Sequence, residues 1–390
     1  MSGLSLSHAT PPFRTFCGDS AFASVPRELQ RLGSSRVVII TGPWYSMFPD
    51  AFGPLEAALG DALVATWDQV EDHSPVPSVE NAAALLTEVG ADAVIAVGGG
   101  SCVVTARAAT IVLAEQKSVR ELATYRGEDG KLVSPRLNAP KIPNWVVPST
   151  PITAYARVGT AVRDNDTGER LALYDPKTRA QGLFLDPRVA LTAPAGLAAG
   201  SAMNSFSMAV EALQAGDDDP LADALLLHAL RMLGEWMPRV LSEPDDAEPR
   251  LRLMLAALLC GQGSEYVGGG LAQALSHATG PRSSVSNGVI EALLLPHTMR
   301  FNLPVTSGRL GSVAESLRHS GPGGYDDDAA IGAVESVVSA MGIPARLRDV
   351  GVSPDSFEEI IEHALDDWFI TRVPRPVSRE LLHELLDAAW

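Results

Sequence analysis

Gly98-Gly99-Gly100-Ser101 directly follows a wholly apolar run, Ala93–Val97, and leads into a helical pattern over Ser101–Glu115. The chemistry open to such a segment is phosphate binding. Glycines let the backbone approach a pyrophosphate, and the amides at a helix N-terminus attract its charge. Three glycines at a strand end also make a plain tight turn, and the motif alone leaves both readings standing. Val147-Pro148-Ser149-Thr150 is a second candidate, again just after a short strand pattern. The hydroxyls of Ser149 and Thr150 are placed either to reach a ribose or phosphate or to close a polar turn.

The segments around these loops alternate. Arg36–Thr41 is a short β-branched run that stops at Gly42-Pro43. A helical pattern follows near Pro54–Leu59, then a strand pattern at Ala62–Trp67 and helical spacing over Val79–Val89. Trp145–Val147 and Gly182–Leu185 are further strands. Strands alternating with helices predict a mostly parallel, Rossmann-like sheet covered on both faces, which binds ligands at the C-terminal ends of its strands. From Ala193 onward apolar residues recur at three and four positions, and strand signals almost vanish. Pro220 is read as a first helical residue before Leu221–Leu241. Arg250–Cys260, Gly269–Ala278, Val289–Leu295, Ala329–Met341, Ser356–Ala364 and Ser378–Ala389 are further helices. The expected division is an α/β nucleotide-binding domain over 1–187 and a helical domain over 188–390. Residues 321–328 read as a loop, and Asp217-Asp218-Asp219 as a solvated turn.

Thirty Lys and Arg against 47 Asp and Glu give a formal charge of −17, which argues against a nucleic-acid or anionic-membrane surface. No apolar run is long enough to span a bilayer, and no signal peptide is evident. Cys17, Cys102 and Cys260 are far apart and odd in number, so a disulfide framework is not implied and a reduced, cytoplasmic setting is expected.

Several segments resemble the iron-dependent alcohol dehydrogenase family nearly end to end. They are Ala91–Ser101 (ADAVIAVGGGS), Val147–Thr150, Thr167–Pro176 (TGERLALYDP), Gly182–Pro187 (GLFLDP), Ala190–Pro194 (ALTAP) and Glu291–Asn302 (EALLLPHTMRFN). Met203–Leu213 (MNSFSMAVEAL) and Pro374–Trp390 resemble the maleylacetate reductases in particular. The resemblance implies a dehydroquinate synthase-like fold with a cleft between its two domains. It also implies an oxidoreductase that uses NAD or NADP and binds its cofactor through Gly42, Pro43, Gly98–Ser101, Ser149 and Thr150. A small-molecule substrate is expected, with a homodimer by analogy.

Metal-binding relatives hold iron or zinc with one Asp and three His. The matching positions here are Asn204, Met208, Gln273 and Asn287, so no metal is expected. Neutral amides and a thioether make no tight site for such a cation. Their mostly polar character points instead to a substrate pocket in which Asn204, Gln273 and Asn287 supply amide donors, with drift after metal loss as the alternative. His277 matches a cleft histidine and is the candidate proton donor; its duller role is capping a backbone carbonyl in the interior. Arg170 matches a family lysine and would grip a substrate carboxylate, or else form a surface ion pair. His297 is read as structural.

Other departures weaken the redox reading. Where the family has Gly, Ser and Glu beside the nicotinamide, this chain has Pro151–Arg157 with a bulky Tyr155 and with Arg157. Gly42 replaces the ribose-binding Asp of NAD-preferring members, so NAD and NADP both stay open. Two functions follow. The first is a metal-independent NAD(P)H-dependent reductase of a carbonyl or oxo-acid. The second is a non-redox isomerase, lyase or cyclase, recruited to a specialised pathway, with Tyr155, Arg157 and His277 in its pocket. A silent binding protein is a third.

Overall fold

The computed structural model describes residues 6–390 except 129, 216–218, 307, 320, 322 and 323. The strands in chain order are β1 (Arg14–Cys17), β2 (Val37–Ile40), β3 (Leu63–Trp67), β4 (Ala93–Gly98), β5 (Tyr125–Arg126), β6 (Leu132–Val133), β7 (Asn144–Pro148), β8 (Gly159–Arg163), β9 (Arg170–Tyr174) and β10 (Gly182–Leu185). With them fold the helices α1 (Val25–Leu32), α2 (Pro49–Leu59), α3 (Val76–Glu88), α4 (Gly100–Glu115), α5 (Val119–Leu122) and α6 (Pro187–Ala190). The chain then becomes all helix: α7 (Ala195–Gln214), α8 (Pro220–Ser242), α9 (Ala247–Val267), α10 (Leu271–Thr279), α11 (Asn287–Thr306), α12 (Gly311–Ser316), α13 (Asp327–Ala340), α14 (Phe357–Asp366) and α15 (Arg379–Ala389).

Two compact units divide the chain, Pro11–Pro194 and Ala195–Trp390, and the segment up to Thr10 belongs with the second. The first holds a six-stranded sheet in the order β1-β10-β7-β4-β2-β3, every pair parallel. Each residue of β2, β4, β7 and β10 is buried, as unbroken apolar runs such as Val37–Ile40 require when helices cover both faces. The edge strand β3 is mostly half-buried. Beside the sheet, β8 and β9 form an antiparallel hairpin that single-sequence periodicity did not announce.

The helical unit packs one apolar core that includes Phe206, Leu226, Leu253, Leu294, Ile360 and Leu386. Its helices run longer than their apolar stripes suggested. The pattern at Val289–Leu295 lies within α11, which continues through Pro296 and Pro304. Gly269, expected to be helical, stays outside: Gly268 at φ 90° ends α9, and α10 starts only at Leu271. The 321–328 loop ends early, because Asp326 caps α13 through the Ala329 amide and Asp327 is already helical. Asp217 and Asp218 lie outside the described residues. Asp219 is 4% exposed rather than solvated. Its Oδ1 accepts from the Leu221 and Ala222 amides at the start of α8, and its Oδ2 lies 2.8 Å from His8 Nδ1.

Burial alone would push the Asp219 carboxyl up, but the His8 bond and the two amides hold it below the usual carboxylate value. A carboxyl depressed on folding stabilises the protein above its unfolded pKa and loses that stabilisation as pH falls through the folded one. Asp219→Ala should therefore cost about 1–2 kcal/mol in urea unfolding at pH 7. The gap between wild type and variant should shrink as the pH drops through the carboxylate range.

Candidate active site

In the α/β unit, β4 and β7 pair with Gly98 opposite Pro148, which brings the two predicted phosphate loops together. The Ser149 amide donates to the Gly98 carbonyl at 3.1 Å. A methyl group on Gly99 would stand 3.2 Å from Thr150 Oγ1, a tight approach that sets the two loops side by side. Ser149 and Thr150 are both buried. A Cβ on Gly100, by contrast, would meet nothing within 4 Å. Gly100 opens α4, whose first amides no side chain caps among the described residues. A long helix with uncapped amides beside open space suits a phosphate.

Ser101 is already engaged. Its hydroxyl accepts from the His73 amide at 3.1 Å, and its carbonyl accepts from Ser74 Oγ at 3.0 Å. His73 and Ser74 both take positive φ, at 65° and 49°, which costs free energy for side chains other than glycine. Ser101 thus holds a strained turn against the loop. Cys102 sits below: burial pushes its thiol up to about 12 although backbone groups of Gly99 and Gly42 hydrogen-bond to the sulfur. Gly42 is buried and Pro43 exposed, with Pro43 opening a short 3-10 turn.

The segment after the second loop departs from its sequence expectation. Tyr155 is fully buried, among the largest interior side chains, rather than lining a pocket. Arg107, itself buried, braces this turn through the carbonyls of Ala154 at 2.7 Å and Gly159 at 2.9 Å. Arg179 binds the Ala156 carbonyl at 2.6 Å. Arg157 is half-buried. Arg170 is exposed at the end of the β8–β9 hairpin, next to an ion pair between Arg120 and Glu169.

In the helical unit the four positions that matched metal ligands converge on α7, α10 and α11. Gln273 Nε2 lies 3.2 Å from Met208 Sδ. Asn204 Nδ2 points at both carboxylate oxygens of Glu291, at 2.8 and 2.7 Å. That orientation is forced, because the amide oxygen would repel a carboxylate. Asn204 therefore spends its nitrogen inside the protein and turns Oδ1 the other way, which corrects the expectation of an amide donor. Ser276 Oγ lies 2.9 Å from Glu291 Oε1 and 2.9 Å from the Gln273 carbonyl. Asn287 starts α11 with Oδ1 pressed on Gly280, where even a methyl group would collide. Glu291, fully buried, follows one turn later. Two α-carbons keep these helices close: a Cβ on Gly288 would stand 2.3 Å from the Gly200 carbonyl.

Neither imidazole nor carboxylate is supplied by Asn204, Met208, Gln273 or Asn287, and the nearby Glu291 is engaged by Asn204 and Ser276. This donor set does not fit iron or zinc. Among the described residues no group of three or more His, Cys, Asp and Glu is placed to hold a metal ion.

His277 follows Ser276 on α10. Its Nδ1 lies 2.7 Å from Asp367 Oδ2, so it partners a carboxylate rather than a backbone carbonyl. Asp367 Oδ1 meanwhile accepts from the Phe369 amide at 2.9 Å, and the Phe369 ring lies 5.7 Å from the imidazole. A ring held at Nδ1 by a carboxylate keeps one orientation and one neutral tautomer, Nδ1–H. The sequence reading missed Asp367, Glu211, Glu291 and Trp44. Glu211 and Glu291 carried a signal, as single carboxylates inside otherwise apolar helical runs.

The family of iron-containing alcohol dehydrogenases matches residues 12–187, and its C-terminal part matches residues 198–390. The chain belongs to the iron-containing alcohol dehydrogenase family, and is an enzyme of the oxidoreductase class. It is 26% identical to maleylacetate reductase 1 of Cupriavidus pinatubonensis, over 100% of this chain and 98% of that protein. Lactaldehyde reductase of Escherichia coli is 28% identical over 96% and 97%. The solved sulfoacetaldehyde reductase of Bifidobacterium kashiwanohense, in complex with NAD+, shares the fold with a TM-score of 0.84, at 17% identity over 99% of each chain. No helix among the described residues is long and apolar enough to cross a membrane.

Glu211 ties α7 to α10. Its Oε1 accepts from the Ala272 amide at 2.5 Å and its Oε2 from the Gln273 amide at 3.2 Å. Burial raises its carboxyl from 4.5 to about 7, against the lowering effect of the Ala272, Gln273 and Gly270 amides. A carboxyl raised on folding stabilises the protein below its unfolded pKa, and that contribution fades as pH climbs through the folded value. Wild-type stability should thus fall by about 3 kcal/mol between pH 4.5 and pH 7 on account of this group alone. Glu211→Gln should flatten that part of the pH–stability curve in chemical unfolding.

Proposed function

We propose that this enzyme is an NAD(P)H-dependent reductase of a carbonyl or oxo-acid, working without a metal, with His277 as the proton donor. The observation that carries the reading is the His277–Asp367 pair, set one residue from the Ser276–Glu291–Asn204 network. Ready donation by an oriented imidazole is what a carbonyl oxygen needs when no Lewis acid polarises it.

When bound, NAD(P)H supplies the hydride for the carbonyl carbon. The residues that would hold its pyrophosphate are Gly99, Gly100 and the first amides of α4, with Ser149 and Thr150 alongside. Ser101 acts by keeping the His73–Ser74 turn in place, since its hydroxyl is taken by the His73 amide. In the helical unit Asp367 holds the Nδ1–H side of the ring, and His277 as the imidazolium passes its Nε2 proton to the substrate oxygen and returns to the neutral ring. Asn204 offers Oδ1, an acceptor for a substrate hydroxyl or other donor. Relatives named as reductases of maleylacetate and of lactaldehyde support a small oxygenated substrate. The fold shared with an NAD+-bound reductase supports the cofactor. The metal-free part rests on the donor chemistry of Asn204, Met208, Gln273 and Asn287.

The non-redox alternative placed Tyr155 in the pocket, and that ring is buried in the interior. Arg170, exposed on its hairpin, gives no support for a carboxylate grip. No specific observation favours the alternative.

NADH and NADPH titrations, followed by nicotinamide fluorescence, should show saturable binding of at least one. Failure of both at millimolar levels rejects the redox reading. His277→Ala should lower kcat by roughly 10²-fold or more with cofactor affinity nearly unchanged, and Asp367→Asn should lower it less. An unaltered kcat in His277→Ala would make His277 a packing residue. Turnover should survive exhaustive EDTA treatment, and elemental analysis should find no stoichiometric iron or zinc.

A further inference from the structure

The chain leaves β2 for the edge strand β3 and then crosses back to β4 on the other side of β2. The loops after β2 and β4 therefore part in opposite directions and open a crevice at the strand ends, where open α/β sheets take their ligands. One side chain dominates that place, and it belongs to none of the phosphate loops. Trp44 follows Gly42-Pro43 at the end of β2.

Its indole lies across both strand ends. An ideal Cβ on Gly42 would come within 2.5 Å of Trp44 Nε1, and one on Gly98 within 2.8 Å of its benzene edge. Any side chain at either position would collide with the ring. Gly98, at φ 130°, also has a backbone that other residues rarely adopt. So two of the glycines credited to cofactor approach are glycines because an indole is seated on them. The ring occupies the volume their side chains would take, and it is backed by Phe52 at 5.7 Å between centroids. It is only half-buried, so part of its surface stays open. Next to it, Gly100 keeps clear space at the α4 N-terminus. A flat aromatic surface beside an anion site, one strand spacing away, matches the two ends of an adenosine diphosphate.

We propose that Trp44 is the platform on which the nucleobase of the cofactor stacks. The proposal rests on the cofactor reading above and goes beyond it by naming the side chain that binds the base. Base–aromatic stacking of this kind is worth about tenfold or more in affinity when the ring is truncated.

The test measures binding, not turnover. Calorimetric titrations with AMP, ADP-ribose, nicotinamide mononucleotide and inorganic pyrophosphate are run on wild type, Trp44→Phe and Trp44→Ala. Trp44→Ala should weaken AMP and ADP-ribose by about tenfold or more and leave pyrophosphate and nicotinamide mononucleotide within about twofold. Trp44→Phe, which keeps a ring on Phe52, should fold like wild type and lose only part of the affinity. Unchanged or tighter AMP binding in both variants would overturn the platform and make the indole a plug. If wild type binds none of the nucleotides, the cofactor reading itself falls and the platform with it. The two failures are thereby told apart.

Discussion

A single carboxylate organises the helical unit. Glu211 reaches from α7 into the start of α10 and satisfies amides that would otherwise be orphaned in a dry interior. The cost of burying a carboxylate is offset only in part by the donors aimed at it, and burial still raises its pKa. Gly270 lacks a side chain because that carboxylate fills the space, with Oε1 2.8 Å from where its Cβ would be. The side-chain contacts along α10 start from this joint. Gln273 touches Met208, Ser276 reaches Glu291, and His277 faces Asp367, each within two turns of the anchored end.

Much of the architecture was legible in the residues. The runs Val37–Ile40, Ala93–Gly98 and Gly182–Leu185 are too apolar and too short for anything but central parallel strands, and they fold so. Asp219 was misread because a run of aspartates looks solvated; its partner, His8, is more than two hundred residues away in sequence and invisible to any local pattern. The hairpin of β8 and β9 was missed for a similar reason. Its inward residues, Val162, Leu171 and Leu173, pack on Val79 and Ile111, which belong to helices far upstream.

The candidate site was legible only in part. The glycines stood out by type and spacing, whereas Asn204, Met208, Gln273, Asn287 and His277 came only from the family resemblance. The direction of a side chain could not. Asn204 was expected to offer a donor, yet Glu291, eighty-seven residues on, takes its nitrogen. Tyr155 was expected in a pocket, yet Arg107 and Arg179 tie its turn down so that the ring packs inward. Both errors come from long-range partners that decide which atom of a residue meets solvent. The same partners keep the packing of the helices together, since Glu291, Ser276 and Asn204 hold one another across α7, α10 and α11.

Cys102 gives this arrangement a built-in clock. Its sulfur lies beneath Gly98, with the backbone of Gly42 and Gly99 around it, and is 4% exposed. A thiol in that position meets an alkylating reagent only when the turns above it separate. Its labelling rate therefore counts how often the sheet's mouth gapes, with the exposed Cys17 in the same molecule as the reference thiol.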